Sequence, residues 1–199
     1  LYLQTLEKRE LDRSKQIDLL QKAITETNRL DHLVENMLVA AQIENQALLI
    51  QPEEMDLSGF ISAFINEFEE KNQIKISGKR VSGLMIQADP LSMRSILVNL
   101  TENALKYGGS NPEIAINLSI DENHVVLQIC DQGIGIAEEE RQRVFDKFYR
   151  SGNEETRQTK GTGLGLFIVR YLVGLQSGSI SVLNNTPKGS TFELRFKSI

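Results

Sequence analysis

Asp131-Gln-Gly-Ile-Gly-Ile136, Phe145-Asp-Lys-Phe-Tyr-Arg150 and Gly161-Thr-Gly-Leu-Gly-Leu166 succeed one another in the second half of the chain. Two glycine clusters bracket an aromatic cluster set in a charged segment. Glycine permits positive φ and close approach of the backbone to a ligand, because no Cβ is in the way. Half of residues 137–160 are charged, a composition expected of a mobile segment. Paired glycine clusters around such a segment point to a phosphate-bearing ligand beneath a lid.

The second cluster enters a helix, whose free first-turn N–H groups bind phosphate readily. Its G-x-G-x-G spacing is not the dinucleotide fingerprint. No G-x-x-x-x-G-K-[S/T] phosphate loop occurs, and Lys188-Gly-Ser190 has the wrong order. Asp131 follows a strand and precedes Gly133 and Gly135. A carboxylate only accepts hydrogen bonds. Adenine presents an exocyclic amine where guanine presents a carbonyl, so a buried Asp131 favours adenine. An aspartate that merely caps a turn is the plainer alternative. Upstream, Asn99, Asn103 and Lys106 are four and three residues apart and share a helical face. An asparagine oxygen suits Mg²⁺, and Lys106 can meet phosphate as a point charge; a solvated polar face is the alternative.

The chain has 199 residues, 40% of them hydrophobic, enough for a domain with a real core and a smaller module. A net charge of −5 argues against a nucleic-acid surface. A single cysteine, Cys130, has no internal disulfide partner, which fits a reducing compartment. There is no run of 18 apolar residues. The sequence starts Leu1-Tyr-Leu, and is read as a fragment that begins inside an element.

Leu1–Leu11 reads as a helix tail and Asp12-Arg-Ser14 as a polar break. A helix from about Lys15 to Asn45 contains no Pro or Gly. It carries the stripe Ile17, Leu20, Ile24, Leu30, Val34, Met37, Leu38 and Ala41, expected of a helix in a bundle. A helical hairpin over residues 1–50 results. Pro52 marks the boundary to a second domain, residues 51–199. There, Asp56 or Ser58 caps a helix over Gly59–Lys71, and Ile74-Lys-Ile76 and Leu84-Met-Ile86 are short strands joined by a glycine-containing turn. Asp89-Pro90 starts a helix that ends at Tyr107. A β-hairpin over 113–130 turns at Asp121-Glu-Asn123, with Ile114, Ile116, Leu118, Ile120, Val126 and Ile129 as its apolar positions. A short helix is expected over Glu138–Lys147, a helix over Leu164–Gln176, and two strands around Pro187-Lys-Gly189. The fold class is therefore α/β: a two-layer α+β sandwich, a mixed sheet of about five strands with three helices on one face, preceded by the helical hairpin.

Taken in order, these motifs resemble the ATP-binding catalytic domain of sensor histidine kinases, within the superfamily that includes DNA gyrase, heat-shock chaperone and mismatch-repair ATPases. The resemblance spans residues 51–199. The helix ending Met37-Leu-Val-Ala-Ala-Gln-Ile-Glu44 resembles the second arm of the kinases' dimerization and phosphoacceptor hairpin. What the resemblance implies is specific. Asn103 would hold Mg²⁺, with Asn99 nearby, and Lys106 and Tyr107 would line the phosphate and ribose side. Asp131 would read the adenine amine, with Gly133, Gly135 and Ile136 beside it and Thr191 behind it through water. Tyr149 and Arg150 would come from the lid, Arg150 toward the γ-phosphate. Gly161, Thr162, Gly163, Leu164, Gly165 and Leu166 would wrap the phosphates. Asn103, Lys106 and Arg150 would carry the catalysis.

The same resemblance implies ATP and Mg²⁺ as cofactors, a response-regulator receiver domain as partner, and a homodimer formed through the hairpin. It also implies a cytoplasmic location for this portion, with the intact protein held in the cytoplasmic membrane by segments upstream. Asn99 stands where hydrolytic relatives carry a water-activating glutamate, which favours transfer over hydrolysis. One departure stands out. The acceptor motif, His followed by Glu-Leu-Arg-Thr-Pro, is absent; the only histidines are His32 and His124. The acceptor is thus expected upstream of Leu1, and residues 1–199 alone should not label themselves. Gln176-Ser177 replaces a frequent His-Gly pair, with no functional consequence expected. The rivals are a nucleotide-binding signalling scaffold and a stand-alone ATPase of the gyrase or chaperone type.

Overall fold

A computed structural model describes residues 12–109, 111–151 and 161–199, without the side chains of Asn28 and Arg29. The expected helix tail at 1–11 and the distal part of the expected lid, 152–160, lie outside the described residues. Two compact units make up the chain, Leu1–Ala47 and Leu48–Ile199.

In the first unit, helix α1 runs Arg13–Glu44. Asp12 caps it by accepting the Lys15 N–H at 3.0 Å. The apolar stripe from Ile17 to Leu38 lies exposed along it.

In the second unit, β1 (Glu53–Asp56) leads into α2 (Leu57–Asn72), with Asp56 at the N-cap accepting from Ser58 N–H. Ile61, Phe64, Ile65 and Phe68 form the buried face of α2. β2 (Ile76–Ser77) and β3 (Met85–Ala88) follow, then α3 (Pro90–Tyr107), β4 (Ile114–Asp121), β5 (His124–Asp131), α4 (Gly165–Leu175), β6 (Ser179–Asn184) and β7 (Ser190–Lys197). The main sheet is mixed, in the order β2-β4-β5-β7-β6, with β2 parallel to β4 and the other pairs antiparallel. Its inner face is a lattice of facing apolar residues: Ile116, Ile129, Phe192 and Val182 in one row, Leu118, Leu127, Leu194 and Ile180 in the next. α3 and α4 pack against this sheet and each other. The outer face is polar, with Asn117, Gln128, Glu193 and Ser181 in register.

Four local expectations change. Ile74–Ile76 and Leu84–Ile86 do not pair through their turn. β2 joins β4, while β3 pairs with β1, a strand not expected at all, in a separate two-stranded sheet. Gly78, at φ +125, permits this, since any Cβ there would fall on the Ile116 backbone. The helix expected over Glu138–Lys147 is two 3-10 turns, Glu138–Glu140 and Arg143–Phe145. Its only buried residues, Val144 and Phe145, are adjacent, so no helical face exists to pack. Val126 lies on the opposite face of β5 from Ile129, as a spacing of three in a strand requires. Ile120 is 51% exposed near the end of its strand.

Candidate nucleotide site

α3 and α4 run antiparallel, and this geometry assembles the site. At one end, Gln176 Oε1 accepts the N–H of Asp89, the N-cap of α3, at 2.9 Å. At the other, Asn99 Oδ1 occupies the place a Cβ on Gly165 would need, 2.6 Å away. Only glycine lets the start of α4 come so close to the polar face of α3. Asn99 is buried and donates Nδ2 to Ser95 O at 3.0 Å. Asn103, one turn on, is half-buried, and its amide bonds nothing among the described residues. Lys106 Nζ donates to the Tyr107 hydroxyl at 2.9 Å and lies 4.6 Å from the centroid of the same ring. It also sits where a side chain on Gly161 would begin. Two of the three residues expected on one face of α3, Asn99 and Lys106, therefore do meet the second glycine run.

That run continues through Thr162, whose Oγ1 accepts from Leu164 N–H at 3.4 Å, to buried Leu164 and half-buried Leu166. Among the described residues no side chain caps α4. Its first-turn N–H groups are thus open to an anion, and the helix dipole favours one.

Gly163, at φ +73, packs on the aromatic segment: a Cβ there would lie 2.7 Å from Phe148 C and Tyr149 O. Phe148 N–H donates to Gly163 O at 3.1 Å. Phe148 itself holds φ +64 and is 62% exposed, a strained backbone for a bulky residue. Glu140 anchors the segment, accepting from Tyr149 Oη at 2.7 Å and from Ser151 Oγ at 2.6 Å. These bonds lower the Glu140 pKa, and the Tyr149 phenol is raised by the same carboxylate. Arg143 stacks on the Tyr149 ring at 4.7 Å. Arg150 follows directly and is half-buried.

The first glycine run passes over the end of α3. A Cβ on Gly133 would stand 2.5 Å from Tyr107 O and 2.8 Å from Asp131 Oδ1. Asp131 closes β5 and is buried. Its Oδ1 accepts from Gly133 N–H at 2.8 Å and Ser190 N–H at 3.3 Å, while no donor among the described residues reaches Oδ2. Burial raises the carboxyl pKa, and those two N–H bonds offset only part of the rise. Gly135, at φ +76, comes within 3.4 Å (Cβ position) of Gly189 O, and Ile136 beyond it is half-buried.

Thr191 is the expected residue that the structure does not bring to Asp131. It faces Cys130 across the strands and donates its hydroxyl to Cys130 Sγ at 3.4 Å, on the outer face of the sheet. Ser190 takes its place. The parity of Phe192, Leu194 and Phe196 carried this information, since an inward Phe192 makes Ser190 inward and Thr191 outward. Glu140 and Asn185, whose Nδ2 donates to Asp131 O at 2.8 Å, had no local signal.

Against this geometry, the sequence matches the family described as histidine kinase-, DNA gyrase B- and HSP90-like ATPase over residues 88–198. The chain belongs to this ATPase family. It is similar to the sensor protein SrrB of Staphylococcus aureus (31% identity over 179 residues, 88% of this chain, 31% of SrrB). It is also similar to the sensor-like histidine kinase SenX3 of Mycolicibacterium smegmatis (27% over 177 residues, 87% of this chain, 46% of SenX3). The chain thus spans less than half the length of these curated relatives. Its fold is that of histidine kinase ThkA, solved in complex with the response regulator protein TrrA (TM-score 0.71, 23% identity, 100% of this chain and 56% of that chain). The matched segment, residues 88–198, is a histidine-kinase-type ATPase domain and makes up most of the second unit.

Proposed function

We propose that this chain is the ATP-binding catalytic part of a sensor histidine kinase, which passes the γ-phosphoryl of ATP to a histidine and from there to a response regulator. The contact of Asn99 and Lys106 with Gly165 and Gly161 carries the reading. It puts a cation and an amide face beside an uncapped helix N-terminus, where a triphosphate's charge is best met. Asp131 Oδ2, an acceptor without a protein donor among the described residues, selects the adenine amine.

Among the described residues no three His, Cys, Asp or Glu side chains converge as a metal site. A Mg²⁺ here fits as an ion that arrives with the phosphates and takes one oxygen from Asn103. It would neutralise charge that develops on the phosphoryl group. Lys106 and Arg150 add fixed positive charge, and the chain's main work is to orient donor and acceptor. The acceptor is a histidine other than His32 and His124, neither of which precedes the Glu-Leu-Arg-Thr-Pro sequence. Residues 1–50 serve as part of the dimerization hairpin, a role supported by the exposed stripe of α1. ThkA's complex with a response regulator supports the partner class. No helix among the described residues is long and apolar enough to cross a membrane. Membrane attachment, as in a sensor, would come from elsewhere in the protein.

Calorimetry with a nonhydrolysable ATP analogue and Mg²⁺ tests the first half of this reading, with saturable one-site binding expected and no heat refuting it. Transfer of radiolabel from ATP through the intact kinase to a receiver aspartate tests the second. Rapid ATP hydrolysis with no phosphoprotein would favour the stand-alone ATPase instead.

A further inference from the structure

The turn joining β6 to β7 is remote in sequence from both glycine runs, yet it is built onto the residue that would read the base. Asn185 holds it there. Its Nδ2 donates to the backbone carbonyl of Asp131 at 2.8 Å, its Oδ1 accepts from Thr186 N–H at 2.9 Å, and its own N–H donates to Gly189 O at 3.1 Å. Gly189, at φ +102, then lies so close to Asp131 that any Cβ would occupy the position of its carbonyl oxygen. The next residue, Ser190, donates its N–H to Asp131 Oδ1. One short turn thus fixes both the main chain of Asp131 and one oxygen of its side chain, and Gly189 O also borders Gly135. β5 pairs with β7 only as far as Cys130 and Thr191, so beyond that point a side chain does the work of the ladder.

We propose that Asn185 is a positioning residue for base recognition: its amide sets the Asp131 carbonyl, and through it the aim of Oδ2 toward the adenine amine. This deepens the nucleotide-binding reading and rests on it. Asn185 touches no ligand itself. It acts by holding Asp131 within the few tenths of an ångström that a directed hydrogen bond tolerates.

The test is affinity for two nonhydrolysable triphosphates, one carrying adenine and one guanine, measured by calorimetry with Mg²⁺ on the 199-residue chain. Asn185→Ala removes the donor. Asn185→Asp keeps the size and the acceptor for Thr186 N–H but turns a carboxylate oxygen toward the Asp131 carbonyl. Both should lose adenine-nucleotide affinity about tenfold and lose most of the adenine-over-guanine preference, with guanine-nucleotide affinity nearly unchanged. Lys188→Ala, in the same turn and exposed, should keep the wild-type ratio. Equal losses for both nucleotides in the Asn185 variants would mean that Asn185 only supports the fold, and would overturn the proposal. An unchanged ratio with unchanged affinity would overturn it as well, while leaving the nucleotide-binding reading intact. A wild-type chain that binds neither nucleotide removes both together.

Discussion

Gln176 reaches the backbone of Asp89 across 87 residues of sequence, accepting its N–H at 2.9 Å in a buried setting. Gln176 Nε2 returns to Leu172 O at 3.1 Å, so the amide is satisfied at both ends. Asp89 in turn caps α3, accepting from Ser92 N–H at 2.6 Å and Gln51 N–H at 2.9 Å. The bond therefore sets the register of the two helices. Nearly the same length of helix separates Asp89 from Asn99 and Gly165 from Gln176, which is why the far ends meet at the site. Gln176→Leu leaves a buried N–H unpaired and should cost about 1–3 kcal/mol in urea unfolding. Adenine-nucleotide affinity of the folded fraction should remain within about twofold, because Gln176 lies a helix length from the ligand. A stability unchanged from wild type would show that this bond does not hold the pair together.

Two glycines should respond in opposite directions to alanine. Gly189 has positive φ and no room beside Asp131 O. Backbone strain and overpacking together predict a loss of roughly 2–5 kcal/mol for Gly189→Ala, with nucleotide binding lost in whatever remains folded. Gly174 is exposed near the end of α4, with nothing within 4 Å of its Cβ position. Gly174→Ala should gain about 0.5–1 kcal/mol from helix propensity alone. Chemical denaturation of the two variants side by side checks both signs.

In the proposed reading, Asp131 serves binding at some cost to folding. Burial raises its carboxyl pKa, so the folded chain keeps this proton to a higher pH than the unfolded chain does. Its contribution is most favourable below the unfolded-state pKa and is lost as pH climbs through the raised folded-state pKa, the reverse of a salt-bridged aspartate. Asp131→Asn abolishes that ionisation and still offers an oxygen to Gly133 and Ser190. The ligand-free melting temperature at neutral pH should rise by about 2–4 °C, the response of a chain this size to roughly 1 kcal/mol, and the gain should fade in acid. Adenine-nucleotide affinity should fall about 10–100-fold, because an amide N–H would face the adenine amine. For the wild type, affinity should weaken on acidification as the acceptor is protonated. A variant that is less stable at neutral pH and binds like wild type would contradict both arms.

What the sequence disclosed of this molecule follows the reach of each signal. Asp89-Pro90 marked the start of α3, and the 3.6-residue pattern and Gly108 its end, because caps and periodicity act within one element. The alternation of β4 and β5 gave their pairing for the same reason. Glu53–Asp56 was invisible as a strand, since only Met55 is buried there and its partner β3 lies beyond a whole helix. The acids and bases of 138–147 imitated a helix dipole, but a helix that short needs a packed stripe, and Val144 with Phe145 supplies none. At the site, the polar face of α3 and both glycine runs were legible as types. Ser190, Glu140 and Asn185 were not, because each acts through a contact set by strand register or loop closure.

Asn103 offers the sharpest separation of binding from stability. It is half-buried on α3, and its amide bonds no described residue, so Asn103→Ala should change stability by no more than about 0.5 kcal/mol, with helix propensity favouring alanine. Asn99 is different: it is buried, bonded to Ser95 O and pressed against Gly165, so its truncation should destabilise the contact between α3 and α4. If Asn103 supplies an oxygen to Mg²⁺, its loss should matter only when the metal is present. Calorimetric titration of a nonhydrolysable ATP analogue should show the wild type binding at least about tenfold more tightly with Mg²⁺ than with chelator. Asn103→Ala should bind equally in both conditions, at the level of the metal-free wild type. A variant that retains the full Mg²⁺ enhancement would take the metal away from Asn103 and leave its amide a role in contacting phosphate or base alone.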